Sequence, residues 1–527
     1  YSVRDHLAGL FGIPGESVEV ISHFVGGAFG SALRPNYYPW LTAMAARAVG
    51  RPVKLIYTRR QTFTGNGYRP YTWQKVSLGA TKDGKLTSII HQHANNTATT
   101  ENYGEGSLQP SKSVYVCPNV VTDSVSVKTD LPAPCAMRAP GVVSHMFALE
   151  SAMDELAYAL NIDPLELRLI NYADKDPDSG MPWSSKELRK CYEVGAKKFG
   201  WSKRTMAPGS MRDGRLLVGW GTATGYWPAG EQPASIGVTL RADGTAYVAT
   251  ATSDIGPGTY TTITIIAAET LGLKPENVKF VLGESRFPRA PVQGGSFTTA
   301  SIGSAMVGAA RQIMGSLLTL AQKDPKSPLA GVIATDVEMS DGRLRLTKTP
   351  AKSVEIAALL KANGMTEITE THSATPSAER RKYKSASHGA QFVEVKVDPD
   401  LGTIRVTRVV ETTATGRIIN PLTSHSQEIG GVVWGIGMAL TEATEVDHRY
   451  GRMMNPTLAD YHVPVNADIH EIETLFIEEN DPIVNELGIK GMGELGMVGI
   501  PAAIANAVFH ATGKRMRDLP ITPDKLV

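Results

Sequence analysis

Five loops of small residues constrain this chain more than any other feature of it. They are Val25-Gly-Gly-Ala-Phe-Gly30, Asp254-Ile-Gly-Pro-Gly258, Gln293-Gly-Gly-Ser-Phe-Thr-Thr-Ala-Ser301, Gln427-Glu-Ile-Gly-Gly431 and Gly491-Met-Gly-Glu-Leu-Gly496. Small residues let backbone N–H groups approach an anion or a flat ligand without side-chain obstruction. One such loop is as often a packing turn as a binding site. Five of them, spread from residue 26 to residue 496, point to one long ligand gripped mostly by main chain. The first loop is not a Walker loop, because no Gly-Lys-Ser/Thr follows, and it lacks the GxGxxG spacing of a dinucleotide site.

Between these loops, Asp83-Gly84, Asp213-Gly214, Asp243-Gly244 and Asp341-Gly342 separate alternating apolar segments. Each marks a hairpin, since a tight turn needs residues tolerant of positive φ. Gln391–Val397 and Ile404–Val410 read as another strand pair around Gly402. Leu149, Met153, Leu156 and Leu160 recur at helical spacing, with Asn161 to close the helix and Pro164 to start a second. A small-residue helix is predicted from about Pro501 to Thr512, with Gly513 beyond it. Ser353 would cap a short helix from Val354 to about Lys361, and polar Thr369–His388 reads as a loop. Hairpins mixed with scattered helices imply an α+β fold, with Trp201–Leu216 as the boundary between two parts.

The remaining composition mostly excludes. Lys plus Arg is 53 and Asp plus Glu 52, so no field forecasts nucleic acid as a partner. Cys117, Cys135 and Cys191 are too few for an iron–sulfur cluster and form no CxxC pair. The longest uncharged run, Ala290–Ala310, is too polar to predict a transmembrane segment. His6, His23, His425 and His510 show no ligand spacing and read as structural or surface residues.

Two charged residues sit in these small-residue settings. Glu494 is a lone carboxylate among Gly and Met. It reads either as a general base with a raised pKa or as an acid serving the dipole of the following helix. Arg138, in Pro134-Cys-Ala-Met-Arg-Ala-Pro-Gly141, reads either as a partner of a ligand oxygen or as a structural Arg satisfying loop carbonyls.

Taken together the motifs resemble the molybdenum-cofactor-binding large subunit of the xanthine dehydrogenase/aldehyde oxidase family, most closely the bacterial aldehyde dehydrogenase type with separate molybdenum, FAD and iron–sulfur subunits. The stretches that carry the resemblance are Val25–Gly30, Met137–Gly141 running into Phe147–Ala157, the Gly256 loop, Gly295–Ser301, Gly416–Pro421 through Gln427, Gly493-Glu494 and the tail Ala505–Pro520. The resemblance implies two elongated mixed α/β molybdenum-cofactor-binding domains, residues 1–205 (N-terminally incomplete) and 206–527. It implies a molybdopterin cofactor, simple or in the cytosine dinucleotide form, with molybdenum held by the pterin dithiolene and by no protein ligand. Phe29, Gly30, Arg138, Gly256, Pro257, Gly258, Thr299, Ala300, Arg417, Asn420, Gln427, Lys490, Gly491 and Gly493 would hold or adjoin it. Glu494 would be the base that deprotonates a hydroxyl or water on the metal, so that oxygen from water enters the substrate and two electrons leave through the pterin. Trp227 and Phe297 are candidates for an apolar substrate pocket, and equally for core. [2Fe-2S] clusters would sit on a small partner subunit and FAD on a medium one.

Three departures qualify the resemblance. Relatives carry a further stretch ahead of the first loop, so Tyr1 is expected to be a cut or a subunit boundary, with a separate polypeptide supplying the rest. Pro257 stands where relatives usually carry Gln or Thr for a side-chain contact to the cofactor. Ser31–Arg34 lacks the acid that purine-oxidising members carry, which disfavours xanthine. An aldehyde is the leading substrate and an aromatic N-heterocycle, hydroxylated beside nitrogen, the alternative. Cys135, three residues before Arg138, raises carbon monoxide oxidation at a copper-binding thiol as a rival; a non-catalytic scaffold is a further one.

Overall fold

A computed structural model describes the whole chain, Tyr1–Val527, as a mixed α/β protein. Its largest sheet has five strands in the order Glu471–Phe476, Ile404–Ala414, Ala386–Val397, Leu216–Pro228 and Arg212–Asp213. The three long central strands pair antiparallel, and Glu471–Phe476 joins in parallel. The Ile500–Thr512 helix lies across this sheet so closely that a Cβ on Gly221 would sit 3.0 Å from the Ala507 Cα. With the five residues before Ile500, this helix forms an apolar run, Leu495–Thr512, of membrane-spanning length, but 89% of that run is buried inside the protein. It is therefore core.

A second sheet, ordered Glu367–Ala374, Ala234–Arg241, Ala246–Thr250 and Val278–Leu282, carries the Thr259–Leu271 and Thr298–Ala321 helices. Together they bury the largest apolar cluster, 35 residues including Ile236, Val248, Ile263, Met306 and Ile313. A third sheet, Thr72–Ala80, Leu86–Ala98 and Val120–Thr129, packs against the Val142–Leu160 helix. Asn161 closes that helix in the left-handed conformation, and Asp163 caps the next one at Pro164.

All four Asp-Gly pairs stand where one antiparallel strand turns into the next, Asp213 as the last residue of its strand. Two local expectations fail. Within Thr369–His388, residues up to Ala374 complete an edge strand beside Ala234–Arg241, and Ala386–His388 open a central strand. The polar strand is satisfied across the sheet by hydroxyl pairs, Ser235–Ser373 at 2.7 Å and Thr239–Thr369 at 2.9 Å. Ser353 is in a short strand, where its hydroxyl accepts from Arg343; the helix starts at Ile356 with no side-chain cap.

Candidate active site

The five small-residue loops converge on one cavity of about 470 Å³. The first is clamped to the Arg138 loop: the Arg138 N–H donates to the Phe29 carbonyl at 2.8 Å. Gly30 has φ +113°, and a Cβ there would overlap the Ala136 carbonyl. Asp254 holds the second loop, accepting from the Gly256 N–H at 2.9 Å while its own carbonyl accepts from Val25 N–H at 2.8 Å. Thr298, Thr299 and Ala300 present the first turn of a 24-residue helix that has no side-chain cap. Ile418–Asn420 lead into the 20-residue Pro421–Leu440 helix, one turn of which brings Gln427 to the wall. Lys490–Glu494 close the far side; a Cβ on Gly491 would sit 2.6 Å from the Ser296 carbonyl, so these two loops touch backbone to backbone.

Glu494 is the one carboxylate among the lining residues. It occupies the N-cap position of the four-residue Leu495–Val498 helix but does not cap it. Its side chain reaches across the cavity floor instead: Oε1 accepts from the Ala139 N–H at 3.1 Å and Oε2 from the Ser296 hydroxyl at 2.8 Å. Burial pushes its carboxyl above the ordinary carboxylate range, and the Ser296 and Ala139 hydrogen bonds, then the Arg138 and Arg69 charges, pull it partly back.

Arg138 satisfies loop carbonyls, donating from Nε to Gly493 at 2.6 Å and from Nη2 to Gln427 at 2.7 Å. It still lines the cavity, and its Nη1 makes no hydrogen bond within the chain. Other charged and polar residues of the expected set contribute backbone more than side chain. Lys490 Nζ points away from the cavity into a buried cluster with Glu479 (2.9 Å), Asp481 (3.4 Å) and the Ser185 hydroxyl (2.7 Å). The Arg417 guanidinium pairs with Glu269 on the rim, and the Asn420 carboxamide accepts from the Thr423 N–H. Pro257 lines the wall, whereas Gly258 stands just behind it, against Thr423.

Trp227 and Phe297 correct the expectation of a substrate pocket, since neither lines the cavity. The buried Trp227 donates its indole N–H to the Gly295 carbonyl at 3.2 Å, and the Phe297 ring packs against Gly295 and Gly230. Both brace the third loop from outside. Leu33, Met137 and Pro140 are among the apolar residues of the wall, with Phe29. Cys135 is also outside the lining; it packs against Gly67, and burial pushes its thiol up to about 11, away from the thiolate a metal would need.

Sequence reasoning missed the residues that set the loops. Asp254 carried a local signal, an Asx-type acid two residues before Gly256. Glu105 carried none, yet its Oε2 accepts from the Gly141 N–H at 2.7 Å and anchors the Arg138 loop. Arg69 donates to the Arg138 carbonyl at 2.6 Å, again with no local cue.

These features fit a long, flat, phosphate-bearing ligand such as a pterin cofactor. Glycines leave backbone exposed on several sides, and an uncapped helix N-terminus and a free Arg138 nitrogen offer donors to anionic oxygens. No group of three or more His, Cys, Asp or Glu side chains is placed to hold a metal ion.

Comparison with known proteins agrees. Two family models, both described as molybdopterin cofactor-binding domain, match residues 1–172 and 194–470. The chain is 38% identical over 527 residues to the aldehyde oxidoreductase molybdenum-binding subunit PaoC of Escherichia coli (strain K12), covering 99% of this chain and 70% of that protein. It is 30% identical over 531 residues to the putative xanthine dehydrogenase molybdenum-binding subunit XdhA of the same organism, covering 98% and 69%. Quinoline 2-oxidoreductase from Pseudomonas putida 86 superposes with a TM-score of 0.89 over 99% of this chain and 70% of that one; at 24% identity this likeness concerns the fold alone. The chain therefore belongs to the molybdopterin-binding xanthine dehydrogenase/aldehyde oxidoreductase family of molybdenum-dependent oxidoreductases.

Proposed function

We propose that this chain oxidises an aldehyde to the carboxylic acid, with Glu494 as the general base. The observation that carries the reading is that Glu494 is the single carboxylate facing the cavity, buried, and oriented from both oxygens. Burial raises the pKa of a base held this way, the direction general-base work favours, and its hydrogen bonds and the nearby guanidinium charges temper the rise. Bound in the cavity, the molybdenum cofactor supplies a two-electron acceptor and a water-derived oxygen. The balance is aldehyde plus water giving acid, two electrons and two protons. Glu494 takes a proton, Arg138 and Gln427 hold the cofactor side of the site, and the loop backbones exclude bulk water. Residues 1–205 and 206–527 would form the two halves that share this cleft.

Phe29, Leu33, Met137 and Pro140 are among the apolar residues that line the cavity, and the lining holds no second acid. That suits an apolar aldehyde better than a purine, whose ring edges require hydrogen-bond partners. The similarity to a protein named as an aldehyde oxidoreductase subunit supports the same choice. The cofactor would be molybdopterin, simple or as the cytosine dinucleotide. Because three cysteines are too few for an iron–sulfur cluster, electrons would leave to a small [2Fe-2S] subunit and then an FAD subunit. The test is a substrate screen on the purified complex in labelled water. Label in the acid product of an aldehyde, lost in Glu494→Gln with molybdenum still bound, is the expected result. Turnover of N-heterocycles but not aldehydes would replace the substrate, and an active Glu494→Gln would remove the base.

A further inference from the structure

The short helix that follows Glu494, Leu495–Val498, rests on buried acids that the chemistry above does not use. Glu428, one residue beyond Gln427, is wholly buried, and neither of its carboxyl oxygens has a hydrogen-bond partner. Glu411, on the Ile404–Ala414 strand, is also wholly buried; Oε1 accepts from Gln391 Nε2 at 2.9 Å and Oε2 has no partner. Gln391 Oε1 is likewise unpartnered. Glycines seat the chain onto this cluster. A Cβ on Gly496 would overlap Glu428 Oε2 and lie 2.9 Å from the Glu428 carbonyl, and a Cβ on Gly499 would overlap Gln391 Oε1.

The charge around the cluster is one-sided. Arg138 is the cation that faces Glu428 and Glu411, and it faces Glu494 as well. The Leu495–Val498 helix brings no titratable side chain, and the Leu216–Pro228 strand offers Thr224 and Gly225. Arg69 acts on Glu494 but not on the pair, so Glu428 and Glu411, both ionised against one shared guanidinium, would leave at least one uncompensated buried charge, and a buried carboxylate in that position takes up a proton instead. Burial raises both acids, and Glu411 raises Glu428 further. The orphaned atoms of Glu411, Glu428 and Gln391 are all oxygens, and protonation gives each acid an O–H donor where there are otherwise only acceptors.

We propose that Glu428 and Glu411 are proton-bearing positioning residues, whose neutral carboxyls seat the Leu495–Val498 helix and so hold Glu494 against Ala139 and Ser296. Ionisation of the pair on the alkaline side places charge directly beneath Gly496 and displaces the helix that carries Glu494. This rests on Glu494 being the base.

The test combines infrared spectroscopy of the holoenzyme with pH profiles of the parent, Glu428→Gln and Glu411→Gln, in which the amide imitates the neutral acid. The parent should show a protonated-carboxyl band at neutral pH that fades on alkaline titration and is diminished in each variant. The variants should match the parent kcat to within about two-fold on the acidic side and exceed it about tenfold at the alkaline end, with KM unchanged. Absence of the band, or an alkaline limb that moves in neither variant, overturns the proposal. If one variant fails to fold, the other carries both measurements. An active Glu494→Gln would defeat the base assignment separately, because the infrared titration reports the protons of the pair whether or not Glu494 is the base.

Discussion

Arg138 donates from Nε to the carbonyl of Gly493, 2.6 Å away and 355 residues along the chain, and thereby fixes the peptide that precedes Glu494. The same guanidinium holds Gln427, so one side chain ties three loops together. Arg138→Met removes both charge-assisted hydrogen bonds, each worth roughly 1.5–3 kcal/mol. It also removes a charge that lowers the Glu494 carboxyl. Thermal stability should fall, and the acidic limb of kcat/KM should move to higher pH, since a base with a higher pKa is protonated earlier as pH drops. A limb that stays in place would show that Arg138 acts on the scaffold alone.

Ser296→Ala isolates one contact to the proposed base. The Ser296 hydroxyl donates to Glu494 Oε2 at 2.8 Å and is the largest influence holding that carboxyl down against burial. Its loss should raise the Glu494 pKa, shift the acidic limb upward and reduce kcat at neutral pH by about tenfold, the equivalent of some 1.4 kcal/mol. Molybdenum content should be unchanged, so a parallel metal analysis separates this effect from cofactor loss.

Gly491→Ala tests the meeting of the third and fifth loops. The added Cβ would lie 2.6 Å from the Ser296 carbonyl, and backbone has no rotamer by which to yield. The overpacking should cost about 1–3 kcal/mol and lower molybdenum occupancy several-fold, measured by elemental analysis. Gly315→Ala is the control. It lies within the Thr298–Ala321 helix with nothing within 4 Å of its Cβ position, and it should gain roughly 0.5–1 kcal/mol with occupancy intact.

Lys490→Met should act on folding. The Lys490 ammonium is fully buried between Glu479 and Asp481, and its removal leaves two buried carboxylates facing each other. The expected loss is about 3–5 kcal/mol, read by thermal denaturation. A variant of parental stability that had lost only its molybdenum would place the side chain in the binding site after all.

The amino-acid sequence by itself determined the local turns, the helix ends and the loops able to admit a ligand. Asp-Gly pairs, Asn161 and Gly513 act through their own φ preferences, which hold wherever the chain goes. The family was legible for a related reason, since its motifs are short stretches whose small residues are needed for close approach. Tertiary structure decided what each side chain does. The polar strand Glu367–Ala374 reads as a loop until the hydroxyls of Ser235 and Thr239, more than a hundred residues away, are brought opposite. Lys490 turned inward because two carboxylates and Ser185 were waiting there, while Trp227 and Phe297 were used up behind Gly295. Glu494 was a candidate base in the sequence already; that its side chain does not cap the following helix was decided only when Ala139 and Ser296 were folded against it. Burial and hydrogen-bond partners are properties of chain segments distant in sequence, so they exist only once the loops have met.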